Sequence, residues 1–229
     1  LAKIMAEGRV ILGEDEGKEI LKAYDIPVPT DIVAKDAKEA VAAANRIGYP
    51  VVMKVVSPDI AHKTDVGGVA LGVAGDEEVK KQFNLIISRS RNKMPDARID
   101  GVVVSQMVSG REVIVGMVRD PQFGPVVTFG LGGIFVEIMR DVTQRIAPLT
   151  EEQVMRMITS IKAYPILSGA RGRKPADVKA LKDVILKVAQ VSLDFPEISE
   201  LEINPVIVGD EGKGCSAVDA LVTIRRENR

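Results

Sequence analysis

Val51-Val52-Met53-Lys54-Val55-Val56-Ser57-Pro58-Asp59-Ile60-Ala61-His62-Lys63-Thr64-Asp65-Val66-Gly67-Gly68-Val69 is an apolar run broken by one cation, then a polar loop, then the start of a second apolar run. The first run, begun by Tyr49 and Pro50, reads as a buried strand. Pro58, Asp59 and the Gly67-Gly68 pair mark a loop. Val69 to Ala74 reads as the next strand. His62 is the only histidine of the chain. Its side-chain type has an unperturbed pKa near neutrality, and it falls on a loop, where chemistry sits more often than in regular elements. The plain alternative is a solvated surface histidine, and the loop alone does not decide between them.

Working outward, Glu14 to Tyr24 carries an apolar stripe (Ile20, Leu21, Tyr24) and reads as a helix ended by Ile26-Pro27-Val28-Pro29. Thr30 to Ala34 is a short strand. Asp36 caps a helix that runs through Ile47 and stops at Gly48. Asp76 to Arg91 is a further helix. Beyond the polar 92–100 segment three strands follow in quick succession: Gly101 to Val108, Glu112 to Arg119 and Pro125 to Gly130. The short Ser109-Gly110 turn makes the first two antiparallel neighbours. Glu137 to Ile146 is expected to add a strand. Thr150-Glu151-Glu152-Gln153 is a capping box, and a long helix covers about 175–193. Glu200 to Ile203, Val206 to Val208 and Ala217 to Ile224 are the last strands. The pattern predicts an α+β (α/β) chain of two lobes, 1–100 and 101–229, with a ligand bound between them.

The chain has 229 residues, 46% hydrophobic and 28% charged, which is globular composition. A net charge of −1 gives no basic surface for nucleic acid and no polybasic run for a membrane. No apolar run approaches ~18 residues, so no membrane span is predicted. The single cysteine, Cys215, has no partner for an internal disulfide, and the first residues lack the apolar stretch of a signal peptide. The expected location is the cytoplasm.

Two motifs are decoys. Gly13-Glu14-Asp15-Glu16-Gly17-Lys18 has its glycines too close together for a phosphate loop, with Glu19 in place of Ser or Thr. Gly130-Leu131-Gly132-Gly133 lacks the third glycine of a dinucleotide fingerprint. Lys54 is a stronger signal, because an ammonium inside an apolar strand is costly without a partner. Either a carboxylate or a ligand phosphate answers it. Glu202 and Asn204, two apart in Glu200-Leu201-Glu202-Ile203-Asn204-Pro205, share a strand face. Asp219 is a lone acid in Ala217-Val218-Asp219-Ala220. If the two strands are neighbours, Asn204 and Asp219 converge, and a few oxygen ligands plus substrate phosphates suit Mg²⁺. The alternative is a solvated strand face. Gln106, Met107 and Val108 lie on the connection between the lobes and can offer backbone groups to an adenine edge, with Glu112 within reach of a ribose hydroxyl. Arg171 and Arg173, in a Gly/Arg/Lys loop, read equally as phosphate binders or as a basic surface.

Together these elements resemble the ATP-grasp superfamily. They are most similar to the nucleotide-binding β subunits of ADP-forming acyl-CoA (acetyl-CoA) synthetases, relatives of succinyl-CoA synthetase. The 57–69 stretch resembles the signature of this branch. Gly132-Gly133 with Glu137 resembles a wider-family feature, and Leu201 to Pro205 with Asp219 resembles the family's metal-site strands. The resemblance implies a two-lobed ATP-grasp fold, ATP/ADP and Mg²⁺ as ligands, and the reaction acyl-CoA + ADP + phosphate ⇌ carboxylic acid + CoA + ATP. It implies that His62 carries the phosphoryl group to ADP and that Glu202 holds the imidazole. Lys54, Gln106, Met107, Val108 and Glu112 would bind the nucleotide, and Asn204 and Asp219 the metal. It also implies a CoA-binding α subunit with its own histidine, in an α2β2 assembly. The expected absence of a CoA-binding domain and of a second histidine here agrees with that.

The chemistry suits these residues. An unperturbed imidazole at pH 7 is mostly neutral and has a nucleophilic nitrogen. Phosphoryl transfer needs alignment and charge neutralisation more than covalent machinery. Two other classes stay open from the residues alone. A self-sufficient ATP-grasp carboxylate–amine ligase would need neither His62 nor a partner. A regulatory nucleotide-binding subunit would bind ADP without phosphorylating any histidine.

Overall fold

The computed structural model describes residues 1, 4–5, 7–60, 62–132 and 141–225. The chain forms two compact units, 29–108 and 1–28 with 109–229.

The smaller unit is a four-stranded antiparallel sheet with helices packed on one face. Its elements are β1 (Asp31–Ala34), α2 (Ala37–Ile47), β2 (Val51–Val56), β3 (Val69–Val73), α3 (Asp76–Lys93) and β4 (Gly101–Gln106), with strand order β1-β4-β2-β3. The Asp36 carboxylate accepts the Lys38 and Glu39 N–H groups, both at 2.8 Å, and so starts α2. Gly48, at φ 93°, ends it. Val51, Met53 and Val55 meet Ala40, Ala43, Ala44, Phe83 and Ile86 in one core. Val52, Lys54 and Val56 alternate with them and are only half-buried. The strand is therefore covered fully on one face, and Lys54 stands on the other.

The larger unit holds α1 (Glu14–Ala23), β5 (Arg111–Asp120), β6 (Gly124–Leu131), β7 (Val142–Ile146), α4 (Glu151–Ser160), the short α5 (Tyr164–Leu167), α6 (Val178–Asp194), β8 (Ile198–Val208), β9 (Cys215–Ala217) and β10 (Ala220–Ile224). Its sheet runs β10-β8-β5-β6-β7, with β9 also on β8. Val154, Met157 and Ile158 of α4 and Leu181, Ile185 and Val188 of α6 bury the inward residues of β5, β6 and β8. Arg119 caps the end of α6, donating to the Phe195 carbonyl at 3.1 Å, the Ile198 carbonyl at 3.0 Å, and the Ser192 carbonyl.

Three expectations change. The Gly101 and Glu112 strands are not neighbours. β4 pairs with β1 and β2, while β5 pairs with β6 and β8 in the other sheet. Ser109-Gly110 is no hairpin turn. A Cβ on Gly110 would lie 2.2 Å from the Val208 carbonyl oxygen, so Gly110 is there to let the chain press against β8. For the same reason the boundary falls at 108, not 100, because β4 completes the small sheet. Residues 1–28 belong to the large unit, where the Leu12 N–H donates to the Val222 carbonyl at 3.0 Å. Finally, 200–203 and 206–208 form one strand. Asn204 and Pro205 fall where the register between β5 and β8 shifts, opposite the 113–115 step, so the missing proline N–H costs no ladder bond. The expected start of β7 at Glu137 lies outside the described residues, as do Gly133 and Glu137 themselves. Among the described residues, no helix is long and apolar enough to cross a membrane.

Asp177 ties α6 to the strand ends. Its carboxylate, only 9% exposed, accepts the Ala180 N–H at 3.0 Å and the Gly214 N–H at 2.9 Å. Burial alone would raise this carboxyl. The Ala180, Gly214 and Gly212 N–H donors, with the Lys179 charge, outweigh it and hold it below the usual range. A depressed carboxyl stabilises the fold above its unfolded pKa, and that contribution fades as pH falls through the folded value. Asp177→Ala is expected to lower Tm at pH 7 by roughly 4–8 °C. In thermal scans the gap to wild type should close below about pH 4. Cys215 sits beside it, its thiol pushed up to about 12, first by burial and then by Asp177 and Asp183. A disulfide reagent such as Ellman's should leave Cys215 unmodified in the native protein and titrate it fully after unfolding.

Candidate active site

In the smaller unit the chain between β2 and β3 is fastened at both ends. The Asp59 N–H donates to the Ser57 hydroxyl at 3.1 Å, and the Asp59 carboxylate accepts the Arg98 N–H at 2.7 Å. Ile60 and Val66 are buried in the core. From His62 to Gly68 the backbone turns back on itself, with N–H to carbonyl bonds Asp65 to His62 at 3.2 Å, Gly67 to Thr64 at 3.0 Å and Gly68 to Lys63 at 2.8 Å. The Val55 N–H closes the loop on the Gly68 carbonyl at 2.8 Å. Gly67 has φ +64°, and a Cβ on Gly68 would come within 2.6 Å of Val55 Cγ1 and 2.9 Å of the Lys63 carbonyl oxygen. Both glycines are required by shape. The His62 side chain is exposed. The result is an exposed imidazole on a backbone held from both sides.

Lys54 lies on β2 between Val69 of β3 and Val103 of β4, on the face away from the helical core. Gln106 ends β4, exposed, its N–H on the Thr30 carbonyl at 2.9 Å. Met107 and Val108 belong to no strand, and among the described residues their backbone groups enter no hydrogen bond.

In the larger unit Glu112 stands exposed near the start of β5, opposite Ile207 of β8. Its carbonyl accepts the Gly132 N–H at 2.8 Å, and a Cβ on Gly132 would come within 2.8 Å of the Glu112 carbonyl carbon. Gly132 is thus the shape support that the rejected dinucleotide reading overlooked. β8 and β10 bring the other residues together. Ile203 pairs with Ala220, and the Asn204 N–H donates to the Asp219 carbonyl at 3.3 Å. The Asn204 side-chain N–H donates to the Glu202 carboxylate at 3.2 Å. Glu202 and Asp219 are half-buried and Asn204 is exposed. Among the described residues no three His, Cys, Asp or Glu side chains come together as a self-contained metal site. An amide oxygen and a carboxylate, on residues joined through their backbones, are donors that suit a hard cation taking its remaining ligands from phosphate and water. Arg173 is exposed. Sequence reasoning missed the Glu14–Lys18 ion pair, at 2.9 Å, although its i,i+4 spacing was visible.

An ATP-grasp domain family model matches residues 3–224. The β subunit of the ADP-forming acetate–CoA ligase I of Pyrococcus furiosus is 53% identical over 221 residues, which cover 96% of this chain and 94% of that subunit. The chain belongs to the ATP-grasp family, among the β subunits of ADP-forming acyl-CoA synthetases. This bears out the resemblance carried by the 57–69 loop. Its fold also matches a chain of the dinucleotide-forming acetyl-coenzyme A synthetase 1 of Ca. Korarchaeum cryptofilum solved with coenzyme A and Ca-AMPCP, at TM-score 0.92 and 44% identity, covering 98% of this chain and 97% of that one. The Korarchaeum enzyme solved with Mg-AMPPCP, its phosphohistidine segment pointing towards the nucleotide site, matches at TM-score 0.86 and 41% identity over 98% and 97% of the two chains.

The Gly68 contacts predict one local effect. Gly68→Ala should open the 57–68 loop, seen as faster amide exchange at Val55, while β8 and β10 keep wild-type protection. Unchanged Val55 exchange would show that the loop is not held there.

Proposed function

We propose that this chain is the phosphoryl-relay subunit of a two-component enzyme that makes ATP from acyl-CoA, ADP and phosphate, releasing the acid and CoA. A CoA-binding α subunit, in an α2β2 assembly, forms the acyl phosphate and passes the phosphoryl group to His62. The phosphorus–nitrogen bond of phospho-His62 then breaks as a bond forms to a β-phosphate oxygen of ADP, and the imidazole nitrogen recovers its lone pair. The observation that carries this reading is the exposed His62 on its clamped loop, in a chain with so close a relative among ADP-forming β subunits.

The other residues take roles that their surroundings support. The Lys54 ammonium, on the face of the small sheet away from its helical core, neutralises phosphate charge. The backbone of Gln106, Met107 and Val108 meets the adenine edge, and Glu112 the ribose. Glu202, half-buried on β8, takes the part that the family resemblance gives it, orienting the phosphohistidine. Asn204, whose Nδ2 is given to Glu202, offers its amide oxygen, and with Asp219 it would hold Mg²⁺. When bound, that ion supplies charge stabilisation for the transferring phosphoryl group.

His62→Ala should abolish ATP formation in the reconstituted enzyme, while ADP still binds the variant with wild-type affinity by calorimetry. A wild-type rate in the variant would sink the relay. Amine-dependent ADP release by the isolated chain, indifferent to the same substitution, would instead favour the self-sufficient ligase.

A further inference from the structure

Among the described residues only Lys18 and Asp177 are charged and buried. Asp177 is accounted for by the backbone groups it binds. Lys18 is ion-paired with Glu14 one turn earlier on α1, with side chains 6% and 22% exposed. Such a pair is a poor stabiliser, because removing both charges from water offsets most of their attraction. Apolar residues of similar volume would commonly serve α1 as well or better.

The pair's location suggests another use. Gly17, Lys18 and Leu21 form the buried face of α1, and Gly17 meets β10 at Ala220 and Val222. A Cβ on Gly17 would lie 3.2 Å from the Ala220 carbonyl oxygen and 3.4 Å from Ala220 Cβ. Ala220 directly follows Asp219, whose carbonyl accepts the Asn204 N–H at 3.3 Å. Gly17, which lies between Glu14 and Lys18 on α1, thus rests on Ala220, and the adjoining residue, Asp219, holds the Asn204 backbone. We infer that Glu14 and Lys18 are positioning residues for the cation site at Asn204 and Asp219, fixing the turn that enters β10. This rests on the reading of those two residues as cation ligands.

The test measures Mn²⁺ binding to the protein with ADP present, by electron paramagnetic resonance, beside circular-dichroism melts. The double variant Glu14→Leu/Lys18→Met should melt cooperatively and bind Mn²⁺ about tenfold more weakly, the usual loss when support behind a metal ligand is removed. Wild-type Mn²⁺ affinity in that variant would overturn the positioning role. Asp219→Ala is the control. If it also binds Mn²⁺ like wild type, the cation-site reading falls and the inference falls with it. If Asp219→Ala alone loses binding, only the inference falls. Gly17→Ala keeps the ion pair but pushes α1 off Ala220, and it should weaken Mn²⁺ binding in a folded protein. Unchanged binding there overturns the role even if the double variant does not fold.

Discussion

Strand β8 is the constraint on which the larger unit depends. Ile198, Leu201, Ile203, Val206 and Val208 are fully buried against the helices. A slip of one residue would turn Glu200 and Glu202 into that core and expose the apolar set, so burial fixes the register. With the register fixed, pairing with β5 on one side and with β10 and β9 on the other follows. The outward face of β8 then holds Glu202 and Asn204, and β10 delivers Asp219 to the Asn204 backbone. Hydrophobic burial on one face of a strand thus places polar chemistry on the other.

The smaller unit solves a different problem. In the proposed relay the carrier must be exposed to be loaded and unloaded, yet an exposed loop loses much of its freedom when it acts, and that ordering has a cost. Buried Ile60 and Val66, the Asp59 anchor and the Val55–Gly68 closure remove most of that freedom in advance. In the proposed relay His62 is the carrier, Lys54 neutralises phosphate charge, and Asn204 and Asp219 are the cation ligands.

Much of this was legible because local signals agreed with the fold. Asp36, Gly48 and Thr150 mark helix ends through hydrogen bonds or backbone angles that need no distant partner. The His62 loop showed in its Pro, Asp and Gly content. Strand pairing was less legible, because Ser109-Gly110 looks like a hairpin turn and only its contact with Val208 reveals otherwise. One missed signal was present. The apolar phase of β8 changes from Leu201 and Ile203 to Val206 and Val208, which marks one strand with an irregularity at Asn204-Pro205, not two strands. Lys18 escaped notice because the glycines around it resembled a phosphate loop. In the structure Gly13 is the cap of α1, its N–H on the Glu16 carboxylate at 2.8 Å.

The most direct measurement is the location of the phosphoryl group in turnover without its acceptor. The chain is mixed with its CoA-binding partner, acyl-CoA, phosphate and Mg²⁺, with ADP left out, and quenched in base. Phosphate is then mapped by tandem mass spectrometry. The relay predicts base-stable, acid-labile phosphate on His62, discharged when ADP is added. Phosphate on no residue of this chain, with the enzyme fully active once ADP is supplied, would contradict it.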